Sequence, residues 1–125
     1  MNAEVERPHR RLDVWQRAMA PVARIYDLTK GFPKHEAYGL ASQMRRSAVS
    51  IPSNIAEGAA RKSRAEFLQF LSVAQGSLSE MDTQLELAYM PGYIDDDVHN
   101  QTLAEIATVF KMLSVLIRSL KKPEQ

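Results

Sequence analysis

The sequence has 125 residues, of which 45% are hydrophobic and 25% charged, and its formal net charge is +1. This length suits one domain with a real core and is short for two. A net charge near zero gives no bulk electrostatic argument for nucleic-acid or anionic-membrane binding. The absence of cysteine excludes disulfides and thiolate chemistry. No segment approaches ~20 apolar residues and the N-terminus lacks an apolar signal-peptide core, so we expect a cytoplasmic protein without a membrane partner.

The first predicted helix covers about residues 13–29. Apolar residues recur every three or four positions, as on one face of a helix. These residues are Leu12, Trp15, Met19, Val22 and Tyr26. Pro21 lies inside the pattern and predicts a kink near Arg17, because proline cannot donate the helical hydrogen bond to that carbonyl. Gly31 and Pro33 then interrupt the helix.

The second predicted helix covers about residues 37–57, and its apolar pattern keeps its phase through Pro52. That pattern consists of Leu40, Met44, Ala48, Ile51 and Ile55. The chain should therefore stay helical across the proline, at a cost of ~3 kcal/mol unless neighbouring groups compensate. Ser50, Ser53 and Asn54 can hydrogen-bond the backbone groups that the proline frees, including the Ala48 carbonyl. Gly58 suits a helix end in the left-handed conformation.

The third predicted helix covers about residues 63–90 and has the most regular pattern in the chain. Ser63 and Glu66 form a capping-box motif at its start, and Pro91 and Gly92 end it. Gly76 leaves the apolar phase intact and predicts a close helix approach. The apolar seam consists of Phe67, Leu71, Ala74, Leu78, Met81, Leu85 and Ala88.

The fourth predicted helix covers about residues 95–121. Asp95–Asp97 favour its start through capping and the helix dipole, and they lack the spacing of a calcium loop. Its seam consists of Leu103, Ile106, Phe110, Leu113, Ile117 and Leu120, with Val109, Met112 and Leu116 widening the apolar face. Short connections between long helices predict a single all-α domain over residues 1–125, an antiparallel up-down-up-down four-helix bundle. We place Leu78 and Leu113 in its core.

Sequence motifs for catalysis or metal binding are absent. His9, His35 and His99 lie outside any recognised ligand motif, and we expect them to be solvated or to cap helices. Glu80 and Asp82, together with Glu86, fall off the seam of the third helix, which is typical of a solvated face. No phosphate-binding glycine loop or nucleophile elbow occurs. We therefore expect no enzymatic activity, no catalytic residues, no metal and no cofactor.

Charge placement is more informative than net charge. In an antiparallel bundle, the start of the first helix, the loop between the second and third helices and the end of the fourth share one end, here called the basic pole. Its basic residues are Arg7, Arg10, Arg11, Arg61, Lys62, Arg64, Arg118, Lys121 and Lys122. Its acidic residues are Glu4, Glu6, Asp13, Glu57, Glu66 and Glu124.

The opposite pole is acidic. It holds Asp27, Glu36, Glu86 and Asp95–Asp97 against Lys30 and Lys34. Part of this polarity matches the helix dipoles, because cations favour helix C-termini and carboxylates favour N-termini. Two interpretations of the basic pole stay open: a solvated surface, or a nucleic-acid contact without interleaved aromatic residues for base stacking.

Four segments carry a family resemblance: LDVWQRAM (12–19), YGLASQMRRSAVSIPSNIAEG (38–58), EFLQFLSVAQGSLSEMDTQLELA (66–88) and LIRSLK (116–121). With them, the chain resembles the four-helix bundle proteins encoded by bacterial 23S rRNA intervening sequences. The resemblance spans nearly the whole chain. Pro91 departs from it, because the family usually has no proline there, and this affects where the third helix ends.

The resemblance implies a cyclic homo-oligomer, a homopentamer. The family is also similar to the accessory protein of diversity-generating retroelements, a basic pentamer that binds a reverse transcriptase and nucleic acid. The small side chains of Ser47, Ser50 and Asn54 fit the close approach of another subunit's helix. Two functional hypotheses follow: binding of RNA, DNA or a nucleoprotein through the basic pole, with Arg61–Arg64 as the main contact, or a protein-interaction scaffold without nucleic-acid binding.

Overall fold

The structure, a computed structural model, describes residues 7–123, and within this range it contains helices and no strand. The helices are α1 (Asp13–Thr29), α2 (Leu40–Ala59), α3 (Arg64–Tyr89) and α4 (Asp96–Lys121), with short 3-10 helices at Pro8–Arg11 and Lys34–Glu36. The predicted all-α four-helix bundle is confirmed. The helix bounds agree to within three residues, and α2 begins later than expected because residues 37–39 form a turn.

Each helix packs against the next one in the chain, and α1 also packs against α4, which closes the bundle. The ion pair between Arg24 Nε and Glu105 Oε1, at 2.6 Å, joins α1 to α4. This hydrogen bond raises the pKa of Arg24. The contact between α2 and α3 is the most extensive in the bundle. These two helices are antiparallel, because Ser50 bonds Ser77 while the earlier Ser47 bonds the later Glu80.

The seams predicted for α2 and α3 form the core. From Met44 to Ile55 and from Leu71 to Ala88, every apolar residue that we assigned to these seams is fully buried. The α4 seam is shifted at one point, because Val109 is fully buried whereas Phe110 is 39% exposed. Val109 lies one turn after the buried Ile106 and one turn before the buried Leu113, so it continues their face.

The apolar stripe predicted for α1 is wrong, because the stripe that is buried is displaced from it by one residue. The buried residues are Val14, Ala18, Pro21, Ile25 and Thr29. Met19 and Tyr26, which we expected in the core, are 44% and 41% exposed. Two apolar stripes overlap on this helix, and the one with smaller side chains faces the other helices. Tyr26 instead lies under the guanidinium of Arg45, 5.2 Å from its ring centroid, where its hydroxyl can stay near water.

Pro21 and Pro52 both lie inside continuous helices, as predicted for Pro52. The side-chain hydrogen bonds that the structure shows near Pro52 do not involve the Ala48 carbonyl, the group that the proline frees. The Asn54 side-chain amide donates to the Ser50 carbonyl at 2.7 Å and to the Ser50 hydroxyl at 2.9 Å. This arrangement ties the helix at Pro52 to α3, because the Ser50 hydroxyl also bonds Ser77 at 2.8 Å.

The predicted roles of two glycines are wrong. Gly58 lies within α2 and does not adopt the left-handed conformation, which among the described residues only Gly92 adopts, with φ +83°. A Cβ at Gly58 would lie 2.7 Å from Phe70 Cβ and 2.9 Å from Phe67 Cδ1, so this glycine allows α3 to approach. At Gly76, where we predicted a close approach, a Cβ would meet no neighbouring atom within 4 Å.

The predicted starts of α3 and α4 are confirmed by their caps. The Ser63 hydroxyl accepts from the Glu66 backbone N–H at 3.1 Å and donates to the Glu66 carboxylate at 3.0 Å. Asp95 accepts from the Val98 backbone N–H at 2.8 Å. Both caps satisfy backbone donors that the first helical turn leaves unbonded.

Replacing Gly58 by alanine should destabilise the protein by about 1–2 kcal/mol, because the crowding against Phe67 and Phe70 exceeds the gain in helix propensity. Gly76→Ala is the matched control and should stabilise by about 0.5–1 kcal/mol, since the added methyl meets no neighbour. Urea unfolding followed by circular dichroism measures both. A stable Gly58→Ala variant would contradict the close approach of α3.

Leu78→Ala and Leu113→Ala should each lower the free energy of unfolding by about 2–5 kcal/mol, because both side chains are fully buried and their loss leaves a cavity. The same denaturant titration measures these losses. A loss below about 1 kcal/mol for either variant would contradict its place in the core.

Candidate functional site

The structure brings the three segments of the basic pole together. The 3-10 helix Pro8–Arg11 contacts both α1 and α2. Arg64, at the start of α3, donates from Nη1 to the Lys122 carbonyl at the end of α4, at 3.2 Å. All nine predicted basic residues are exposed. Three of the six acidic residues that we assigned to this pole, Glu4, Glu6 and Glu124, lie outside the described residues.

The basic side chains differ in how far the fold engages them. Arg61 pairs with Glu57 at 2.9 Å and lies over the Phe70 ring at 4.9 Å from its centroid. Arg10 lies over the Trp15 ring at 5.5 Å. The following side chains form no ion pair with another described residue: Lys62, Arg118, Lys121 and Lys122. Arg7 also forms no ion pair with another described residue, so these five side chains offer the positive charges of the pole that the fold engages least.

At the acidic pole, His99 has neither of the two roles that we expected, because it is not solvated and its Nε2 contacts the side chain of Glu86 rather than a helix end. Its side chain is 12% exposed, its Nε2 lies 2.5 Å from Glu86 Oε1, and its ring stacks on Tyr89 with centroids 4.1 Å apart. The Tyr89 hydroxyl donates to Asp96 at 2.5 Å, and this bond raises the pKa of Tyr89. These contacts join the end of α3 to the start of α4, so they serve the packing of the two helices.

Glu36 links the two loops of the acidic pole. It accepts from the Tyr93 hydroxyl at 2.9 Å and from the Leu40 backbone N–H at 3.3 Å. The Tyr93 hydrogen bond, followed by that of Leu40, lowers the pKa of Glu36. The same contact raises the pKa of Tyr93. Glu36 therefore fastens the loop before α2 to the loop before α4.

A polar groove runs between α2 and α3 on the outside of the bundle, with a volume of about 370 Å³. We call it the α2–α3 groove; it is lined by Gln43, Arg46, Ser47, Ser50, Ser77, Glu80 and Gln84. Glu80, expected on a solvated face, is exposed but accepts from the Ser47 hydroxyl at 3.0 Å. Ser47 and Ser50 thus contact α3 of the same chain, which uses the small-residue face that we assigned to another subunit.

The sequence interpretation missed Gln43, Arg46 and Gln84 as members of one site. Gln84 is 6% exposed, and its Oε1 atom has no hydrogen-bond partner among the described residues. The seven-residue spacing of Ser77 and Gln84 places them on one face of α3 and could have indicated a polar stripe. Which α2 residues oppose that stripe depends on the register between the helices.

Within residues 7–123, no group of three or more His, Asp or Glu side chains is arranged to hold a metal ion. In the same range, no helix combines the length and apolar character needed to cross a membrane.

Comparison with known protein families shows which family the chain belongs to. The family model described as 23S rRNA-intervening sequence protein matches residues 10–115. The chain belongs to the 23S rRNA-intervening sequence protein family. The match includes all of α1, α2 and α3 and most of α4. The resemblance carried by the sequence motifs is therefore confirmed.

A solved structure shares the fold of this 23S rRNA-intervening sequence protein. It is a crystal structure of a protein with unknown function from the S23 ribosomal protein family of Bacteroides thetaiotaomicron, 26% identical in sequence. The match covers 84% of this chain and 95% of that chain, with a TM-score of 0.78. No curated protein matches the chain. The comparisons thus give the family and the fold.

Stability of this family member should depend on the ionisation of Glu36. Because folding lowers the pKa of Glu36, its contribution is present above the ordinary value of 4.5 and is lost as pH falls through the folded pKa. In urea titrations from about pH 6 to about pH 3, the stability difference between wild type and Glu36→Gln should shrink as pH falls. A constant difference would contradict this role.

Proposed function

We propose that this 23S rRNA-intervening sequence protein is a non-enzymatic homo-oligomer that binds RNA or DNA, alone or in a nucleoprotein, through its basic pole. The observation that carries the proposal is the convergence of three basic segments at one end of the bundle. Two of them are joined by the contact between Arg64 and the Lys122 carbonyl, and the third, Pro8–Arg11, packs on α1 and α2. Lys62, Arg118 and Lys121 are exposed there without ion pairs to other described residues.

The number of charges favours an oligomer as the binding species. The sequence assigns nine basic and six acidic residues to the pole of one chain, an excess of three. A ring aligns the same pole of every copy, so five copies would present an excess of about fifteen positive charges. Such a field attracts polyanions and releases their condensed counterions. Binding of this kind depends on phosphates and carries little sequence preference.

Exposed apolar side chains support self-association. Tyr26, Tyr38 and Val49 line a shallow depression between α1 and α2. Tyr38 is 99% exposed, whereas Tyr26 and Val49 are both 41% exposed. On α4, Phe110 and Val115 are 39% and 53% exposed. In a cyclic oligomer, each subunit contacts its two neighbours through two different surfaces. The exposed apolar residues between α1 and α2 and those on α4 would provide two such surfaces.

The alternative function is a protein-interaction scaffold whose ring binds a protein partner and no nucleic acid. The same exposed apolar residues favour it, because an apolar patch fits a protein partner as well as a second copy. Under this alternative the basic pole is only a solvated surface. Binding of nucleic acid by the oligomer separates the two functions.

Light scattering should give a mass of about five times 14.1 kDa at micromolar concentration. Tyr38→Glu should lower that mass, because it places a charge on the exposed apolar face. Circular dichroism checks that the variant stays folded. A wild-type mass near 14.1 kDa would contradict the oligomer.

Fluorescence anisotropy with single-stranded RNA and with duplex DNA should detect binding at low salt that weakens steeply as salt rises. The expected log–log slope is about 0.7–0.9 per phosphate neutralised. The double variant Lys62→Glu, Lys121→Glu should bind more weakly than wild type, because it reverses two exposed charges of the pole.

The matched control is Lys30→Glu, Lys34→Glu, which changes the net charge equally at the acidic pole. It should bind nearly as well as wild type. Absence of wild-type binding at low salt, or equal losses in both double variants, would contradict the basic pole as the binding surface and favour the scaffold.

A further inference from the structure

Two faces of the bundle, one on each side of the α2–α3 pair, carry complementary side chains. The depression between α1 and α2, here called the α1–α2 face, is lined by Arg45 and Arg46 and by no acidic residue among those described. A groove of about 680 Å³ between α3 and α4, here called the α3–α4 face, has Asp82 and Lys111 in its lining. Arg45 is half-buried and donates to Thr29, whereas Arg46 and Asp82 are exposed without an ion pair to another described residue.

The register between α2 and α3 places these charges at the same level along the bundle axis. The two helices are antiparallel, and Ser47 donates to Glu80 at 3.0 Å. Arg45 is two residues before Ser47 and Asp82 is two residues after Glu80, so Arg45 and Asp82 share one level. Arg46 differs from that level by one residue, about 1.5 Å.

The exposed apolar side chains of the two faces are level as well. Gln75 on α3 donates to Ser114 on α4 at 2.9 Å. Four residues further along both antiparallel helices, Ser79 is level with Phe110, and both line the α3–α4 face. The α2–α3 register places Val49 one residue from the level of Ser79. Val49 and Phe110 therefore differ in level by only about 1.5 Å.

Equal level is the geometrical condition for contact between copies in a ring. Rotation about the ring axis does not shift a subunit along that axis, so residues that touch across the contact share a level. In the ring proposed above the basic poles lie on one side, which requires the helices to run along the axis. Two faces whose complementary residues are level can then meet directly.

The cross-section of the bundle also suits a ring. Gly58 and the paired serines hold α2 and α3 close together. The long side chains of Arg24 and Glu105 join α1 to α4, and this contact is the least extensive between neighbouring helices. Because helix separation depends on the side chains at the contact, the α1–α2 and α3–α4 faces converge toward α2 and α3. The sides of a subunit in a closed ring converge in this way toward the axis.

We propose that the α1–α2 face of one copy binds the α3–α4 face of the next copy. Arg46 pairs with Asp82 of the neighbouring copy, and Phe110 of the neighbouring copy packs beside Tyr26 and Val49. This inference rests on the proposed homo-oligomer and names the contact that builds it. The contact is head-to-tail, and it places α2 and α3 on the inner side of the ring, so the α2–α3 groove faces the interior.

A single-stranded nucleic acid is the competing occupant of the α1–α2 face. Arginine and aromatic side chains bind phosphates and stack on bases, although both are also enriched in protein–protein interfaces. The level match with Asp82 and Phe110 favours a second copy, because a nucleic acid requires no acidic and apolar counterpart on the same chain. Reversal of the two charges separates the occupants.

Arg46→Glu and Asp82→Arg should each raise the concentration at which the oligomer dissociates by about 100-fold, because each brings like charges together. The double variant Arg46→Glu, Asp82→Arg should restore it to within about tenfold of wild type, because the pair is re-formed with reversed signs. Light scattering over a dilution series measures all three. Arg17→Glu, an exposed arginine between α1 and α4, is the matched control and should assemble as wild type does.

A mixing experiment tests the head-to-tail arrangement. Val49→Glu blocks the α1–α2 face and Phe110→Glu blocks the α3–α4 face; circular dichroism checks that both variants stay folded. Each variant alone should have a mass near 14.1 kDa. An equal mixture should give about twice 14.1 kDa, because one contact between the two intact faces remains. An isologous contact through either face does not give this result.

A wild-type mass near 14.1 kDa would overturn the proposed oligomer and this contact with it. A wild-type oligomer that Arg46→Glu leaves unchanged, or that the double variant does not restore, would overturn the contact and leave the oligomer and the basic pole intact. An Arg46→Glu variant that keeps its mass but binds single-stranded RNA more weakly than Arg17→Glu would assign the α1–α2 face to nucleic acid and overturn the inference. A mixture that stays near 14.1 kDa would overturn it equally.

Discussion

Antiparallel packing of α2 against α3 brings Gly58 within van der Waals range of Phe67 and Phe70, and at mid-helix it pairs Ser50 with Ser77. Small side chains on both helices make this approach possible. The contact is the most extensive in the bundle, and α1 packs against α2 while α4 packs against α3. A methyl added at Gly58 would crowd the α2–α3 contact, whereas one at Gly76 would meet no neighbour.

The same contact separates an apolar inner face from a polar outer one. On the inside, Met44, Ile51 and Leu78 are fully buried. On the outside, Ser50 bonds Ser77 and Ser47 donates to Glu80, whereas Gln84 Oε1 has no partner among the described residues. The groove is therefore a consequence of how two helices meet. Its polar groups are also held more rigidly than side chains on a loop would be.

The antiparallel arrangement also explains how a chain with a net charge of +1 becomes bipolar. Carboxylates cap helix N-termini at one end, as Asp95 does for α4, while Arg118 and Lys121 lie in the last turn of that helix at the other. Charges that favour helix formation through the dipole thus accumulate at opposite poles. The nucleic-acid binding that we propose would use charges whose placement is also favourable for the helix dipoles.

The sequence by itself determined the four helices, the caps at Ser63 and Asp95, and the seams of α2 and α3, because strict three-four spacing of large apolar residues allows one buried face. It also placed the basic residues at one pole, since chain direction follows from short connections. Only the tertiary structure decided which of the two overlapping apolar stripes of α1 is buried. It also decided which glycine lies against a neighbouring helix. It alone brought Gln43 and Arg46 beside Gln84. These features depend on distance and register between helices, and periodicity within one helix does not contain that information.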